Sequence, residues 1–129
     1  MRTTPVISLD VRQGSSSDAG WQDVEASNGQ TYSFHYSGGD DAKGGVRAIV
    51  GKGVVTGPLR LVADKRYELD GCLFTDDTHD QLSWSGKGQA GSLRDENTKA
   101  QTAYYTTIVL DTVAKCQIPC DPMIKNELR

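Results

Sequence analysis

The chain has 129 residues and a mass of about 14 kDa, room for one ordinary domain and no second full core. It is therefore read as a single domain over 1–129, with 122–129 a short C-terminal tail. Lys and Arg number 14 against 17 Asp and Glu, a formal charge of −3, which argues against a nucleic-acid footprint, a polybasic membrane patch and anionic partners generally. No charged leader with an apolar stretch and a cleavage site opens the sequence, and no run approaches the roughly 18 apolar residues of a membrane span. No membrane association and a cytoplasmic location are expected.

The elements read as strands in chain order. Residues 4–12 alternate, with Ile7, Leu9 and Val11 on one side and Ser8, Asp10 and Arg12 on the other, the period-two pattern of a strand with one wet face. Residues 21–27 and 31–37 flank Asn28-Gly29, a dipeptide that tolerates positive φ at both central turn positions, and so predict a hairpin. Tyr32, Phe34 and Tyr36 share one face of its second strand. The glycine- and aspartate-rich stretch 38–45 reads as a long exposed loop. A β-branched run over 46–55 is interrupted by Gly51 and Gly53, Gly57-Pro58 turns the chain, and 59–62, 67–75 and 81–85 are further short strands. Residues 86–91 read as loop or edge. Residues 103–110, a turn over 111–115 and a return over 116–120 form the strongest pattern. About eight short strands and no convincing helical period predict an all-β fold, a single antiparallel β-sandwich of the immunoglobulin-like kind, with a small barrel as the alternative.

The three cysteines, Cys72, Cys116 and Cys120, read as reduced, packed thiols rather than a secreted disulfide framework. Cys116 and Cys120 on one strand stand roughly 13 Å apart, beyond disulfide reach. His35 and His79 are isolated from each other and from any cysteine pair, so no metal is expected at a zinc-type site. Asp76, Asp77 and Asp80 cluster in a turn but lack the twelve-residue calcium loop and its closing Glu, and read as a solvated acidic turn. The stretch 45–53 superficially resembles a phosphate loop. Its spacing is one residue too long, and Gly53 stands where a magnesium-binding hydroxyl belongs. No Gly-x-Ser-x-Gly elbow is present. Trp21, Tyr32, Tyr36, Trp84, Tyr104 and Tyr105 are candidates for a sugar-binding face, against the commoner role of strand aromatics in packing. No cofactor is implied.

One dipeptide carries specific chemistry, Asp121-Pro122. A proline nitrogen is tertiary and leaves more readily once protonated, and the aspartate side chain reaches its own carbonyl carbon through a five-membered ring, giving an anhydride that water opens. Ring closure of this kind gains from proximity, with effective molarities of roughly 10⁵ M or more when the geometry is fixed. A fold would have to add restraint, hydrogen bonds to the developing oxyanion, or a second tuned carboxyl; Asp111 at the far end of the hairpin strand is too distant, and Asp95 or Glu96 approaches only if the preceding loop folds back. Asp-Pro is also a common turn opener, and a chain with 13 Asp and 4 Pro contains about 0.4 such pairs by chance. Its place at the end of the last strand, before a tail carrying Met123, Ile124 and Leu128, sets this one apart.

The segment Cys120-Asp121-Pro122-Met123-Ile124-Lys125-Asn126 resembles the Asp-Pro-x-Ile-x-Asn signature of the DP-EP family of small bacterial β-sandwich proteins. Residues 49–56 resemble that family's glycine-broken central strand and 106–110 its penultimate strand, so the likeness runs over 46–126. The resemblance implies a bacterial source, a sandwich fold and self-processing at the Asp121–Pro122 bond. Two departures stand out: no Glu-Pro dipeptide occurs, and the lysine expected at the start of the penultimate strand is replaced by Ala103-Tyr104, leaving Lys99 as the nearest.

The catalytic candidates are thus Asp121 as nucleophile, Pro122 as leaving amine, Asn126 as a hydrogen-bond organiser of the tail, and Lys99 as an amine that intercepts the acyl intermediate and gives an isopeptide link. Lys115 is a second candidate for that interception. The activity expected is single-turnover autoproteolysis of aspartic type, with no multiple-turnover reaction. The rival reading is a non-catalytic module that binds a glycan or a peptide through its end loops or assembles with itself as a homo-oligomer, as inclusion-type sandwich proteins do.

Overall fold

The computed structural model of the chain describes residues 1–121 and the backbone of 126–128. All regular structure among them is β. The strands in chain order are β1 Arg2–Thr3, β2 Ile7–Gln13, β3 Gln22–Glu25, β4 Thr31–Gly38, β5 Arg47–Ala48, β6 Val55–Leu61, β7 Tyr67–Thr75, β8 Leu82–Lys87, β9 Ala90–Asp95, β10 Thr102–Asp111, β11 Cys116–Cys120 and β12 Asn126–Leu128. Twelve segments thus stand where about eight were expected, but β1, β5 and β12 are only two or three residues long.

The strands form two sheets, consistent with a sandwich. One has the order β3-β4-β2-β6-β9-β8, with β1 also on β6; the other runs β11-β10-β12-β5, with β7 also on β10. The sheets are mixed rather than purely antiparallel: in the first, β6 returns to β2 through a long connection and lies parallel to both β1 and β2, and in the second β12 lies parallel to β5. Alternation is clean where it was read. In β2, Ile7, Leu9 and Val11 are buried while Ser8, Asp10 and Arg12 are not. They meet Tyr32, Phe34 and Tyr36 of β4, Leu59 and Leu61 of β6, and Tyr105, Val109 and Ile118 of the other sheet in one core.

The two sheets are also stitched at both flanks. Ser27, just past β3, donates its N–H to the Gln117 carbonyl of β11 (2.9 Å), and its Oγ accepts the Gln117 N–H (2.8 Å). On the other flank Leu69 of β7 donates to the Gly88 carbonyl in the β8–β9 turn (2.7 Å). The sandwich therefore carries a good part of the closure of the barrel alternative.

Several local expectations are corrected. The 38–45 stretch is not a loose loop: Gly44, Gly45 and Val46 are buried, the Asp41 carboxylate accepts the N–H groups of Lys43 and Gly45 (2.8 Å each), and Tyr105 donates its hydroxyl to the Gly44 carbonyl (2.6 Å). Gly57 and Pro58 do not turn the chain but lie inside β6. The even-numbered β6 residues aim their backbone groups toward β1 and β2, and Pro58 falls opposite the break between those two strands, where no donor is required. Residues 86–91, expected as loop or edge, are the end of the edge strand β8, a turn and the start of β9; in this second hairpin the Trp84 ring lies so close over Gly86 and Gly91 that a Cβ at Gly91 would sit 2.3 Å from it. At Asn28-Gly29 only Gly29 takes positive φ (+83°), within a longer turn that Asn28 braces by accepting the Gln30 N–H (3.0 Å).

At the far end of β10 lies the most heavily bonded buried group. Asp111 is 0 % exposed. Its carboxylate accepts from Arg66 Nε (2.9 Å) and Nη2 (2.7 Å), from the Tyr32 hydroxyl (2.7 Å), and from the N–H groups of Val113 (3.0 Å) and Ala114 (3.2 Å). Burial alone would raise its pKa, but these donors, Arg66 first, hold it down at about 2. A carboxyl depressed in the fold stabilises the protein fully above the ordinary carboxylate range, and the contribution drains away as pH falls from about 4 toward 2. Asp111→Asn is expected to cost about 3 kcal/mol in denaturant unfolding at neutral pH and to flatten that acid limb.

Candidate functional site

Thr107 of β10 pairs with Cys120 of β11, which places Thr106 and Asp121 beside each other one step further on. Along β10 the residues alternate, Tyr105 and Thr107 inward and Thr106 outward. The Thr106 hydroxyl donates to Asp121 Oδ1 on the outer face, where Asp121 is exposed. On the inner face the carbonyl of Cys120, the peptide oxygen just before Asp121, accepts the Tyr36 hydroxyl at 2.6 Å, and Tyr36 shares a second hydrogen bond of 2.9 Å with Thr107. The candidate nucleophile is thus restrained on one side through its carboxylate and on the other through the peptide that precedes it.

The pairing of β10 changes across this point. Cys120 stands opposite Thr107 and Asn126 opposite Ala103, so a six-residue step faces a four-residue step and the C-terminal side carries two residues in excess. Beyond it, β12 is held on both edges, antiparallel to β10 at Thr102 and Ala103 and parallel to β5 at Arg47 and Ala48.

The other candidates stand as follows. Pro122 lies outside the described residues, as do Met123 and Ile124. Asn126 is the first residue of β12, its backbone paired with Ala103. Lys99 is exposed in the segment between β9 and β10, its N–H donating to Gln81 Oε1 (3.2 Å). Thr102, the first strand residue after it, is four steps or roughly 13 Å along β10 from Thr106. Lys115 sits in the β10–β11 turn at φ +56°, at the opposite end of β11 from Asp121. Glu96 accepts Arg94 Nε (2.9 Å) on the surface.

Most of the remaining sequence candidates serve the fold, while Tyr104 is half-buried on the outer phase of β10. Tyr32, Tyr36 and Tyr105 are buried. Trp21 is half-buried, with the Arg12 guanidinium 3.9 Å from its centroid and the stacked His35 ring at 5.6 Å, and Trp84, also half-buried, lies on its glycine pair. Asp77 spends its carboxylate on the N–H groups of Gln81 (2.8 Å) and Leu82 (3.0 Å) and on Gln101 Nε2 (2.7 Å), which ties the acidic turn to the segment before β10. All three cysteines are free. Burial pushes Cys72 up to about 12 and Cys120 higher still, with the Asp121 charge adding to the latter, so neither is a nucleophile at neutral pH.

Sequence reading missed Thr106 and Tyr36. Thr106 had a signal, a hydroxyl on the outward phase of the last long strand, but its pairing with Asp121 is a cross-strand register that alternation alone does not fix. No known family model matches the chain, and no curated protein is similar enough in sequence to count as a relative.

Asp95 bears on pH dependence rather than on Asp121. It lies in β9, 2 % exposed, with Oδ1 accepting the Asn97 N–H (2.9 Å) and Oδ2 buried without a partner. Burial raises its pKa to about 6 against the opposing Asn97 hydrogen bond. A carboxyl raised in the fold contributes stability fully below its ordinary range, and that contribution is lost as pH climbs through 6. Between pH 4 and pH 8, Asp95→Asn is expected to gain roughly 2 kcal/mol on the wild type in urea unfolding.

Proposed function

We propose that the chain is a single-turnover self-cleaving all-β protein of the DP-EP kind, an immunoglobulin-like sandwich that cuts its own Asp121–Pro122 bond. The Thr106–Asp121 hydrogen bond carries this reading, because it restricts the side chain that must fold back on its own backbone. The Tyr36 hydrogen bond to the Cys120 carbonyl supports it by fixing the peptide on the N-terminal side.

In the chemistry proposed, an Asp121 carboxyl oxygen bonds to the carbonyl carbon of the same residue, the C–N bond to Pro122 breaks, and the carboxyl proton passes to the proline nitrogen. Water then opens the five-membered anhydride to two carboxyls. The products are 1–121 and the eight-residue peptide 122–129, with one water consumed. The pairing of β12 with β10 and β5 offers the peptide a seat after the cut. Were the Lys99 amine to open the ring instead, the 1–121 product would be lighter by one water and carry an internal amide.

Intact-mass spectrometry of fresh and aged protein from mildly acidic to neutral pH tests the reading. The two product masses should accumulate, faster at the acidic end. Asp121→Asn should abolish them, and Thr106→Val should slow them about tenfold, the worth of one hydrogen bond in the barrier. A single uncut mass under every condition leaves the chain as a non-catalytic module.

A further inference from the structure

The 45–53 stretch is no phosphate loop, yet part of it walls a wide opening in the surface. Beside β5 a solvent-open cavity of about 630 Å³ is bordered by Arg2, Asp40, Arg47 and Lys52, with Ala48, Ile49 and Val55 supplying apolar surface. Its size falls within the range of small-ligand sites. Its charge runs against that of the whole molecule. Three cations and one carboxylate line it, and that carboxylate is already spent: Asp40 accepts from the Arg2 guanidinium and, at 2.7 Å, from the Arg47 backbone N–H. Among the described residues neither Arg47 nor Lys52 takes part in an ion pair. The net −3 of the chain disfavours anions on average and leaves this spot open to one.

The wall is built rather than loose. Residues 49–52 form a turn closed by Lys52 N–H to the Ile49 carbonyl (3.1 Å), with Gly51 at φ +83°, the conformation a type II turn requires at its third position. Asn97 clamps it from beneath. Its Nδ2 donates to the carbonyls of Ile49 (2.6 Å) and Gly53 (3.0 Å), and its own carbonyl accepts the Gly51 N–H (3.0 Å). Asn97 is 1 % exposed, lines the cavity, and keeps a buried Oδ1 that no donor among the described residues satisfies. Lys52 is thus carried on a fixed turn and Arg47 on a paired strand, so little ordering is left for a ligand to impose.

We propose that this cavity binds a small carboxylate with a short aliphatic body, Arg47 taking the carboxylate through its planar fork, Lys52 adding a second charge, and Ala48, Ile49 and Val55 covering the chain. A planar two-oxygen group suits guanidinium better than a tetrahedral one with no apolar part. The site does not rest on the cleavage reading.

The test is a ¹H–¹⁵N titration of the full chain carrying Asp121→Asn, so that the bond to Pro122 stays whole and the outcome leaves the cleavage reading untouched. The probes are valerate, acetate, inorganic phosphate and neutral valeramide. Saturable shifts at the amides of 47–53 with valerate, at least fivefold tighter than acetate or phosphate and absent with valeramide, are expected. Arg47→Gln and Lys52→Gln should each weaken valerate at least tenfold while the remaining spectrum stays dispersed, and Lys65→Gln, an exposed lysine elsewhere, should leave it unchanged. Phosphate binding tighter than valerate, shifts spread over lysines generally, or no saturation would overturn the proposal.

Discussion

A carboxylate taken wholly out of water is tolerable only if its charge is answered on the spot, and at Asp111 five donors do so. They come from three places in the chain: Tyr32 in β4 of the first sheet, Arg66 at the entrance to β7, and the turn that leads from β10 into β11. One buried charge therefore ties the two sheets together and fixes the end of β10, the strand on which β7, β11 and β12 all pair. Because β10 is fixed, its register with β11 is fixed, and with it the meeting of Thr106 and Asp121 four residues down the strand from Leu110. The same strand that supplies the restraint on Asp121 at its middle is anchored by ionic bonding at its end.

Much of the architecture was legible in the sequence because alternation is a direct image of burial. β2, β4, β7, β10 and β11 follow from their own residues. The failures share a physical cause. In β6, Gly57 and Pro58 look like a turn in isolation, and they are tolerated in a strand only because the neighbouring β1 and β2 leave a break opposite them. In the 38–45 stretch, small polar residues look like a loop, and they are pinned because Asp41 turns its carboxylate back on the local N–H groups while Tyr105 reaches across the core to Gly44. In β9, a strand poor in large side chains is completed by a tryptophan from β8. Each depends on a partner outside the segment's own alternation pattern.

The candidate site divides in the same way. Asp121 was legible because Asp-Pro is chemically distinctive wherever it occurs. Its companions were not, since Thr106 and Tyr36 reach it through cross-strand pairing and through the core.

The stitches from Ser27 to Gln117 and from Leu69 to Gly88 have a consequence for crowded solutions. A sheet whose outermost strands show bare backbone is a template on which another chain can grow by simple addition. Here each flank is tied at one place to the opposite sheet, so a chain adding there would first have to displace those bonds.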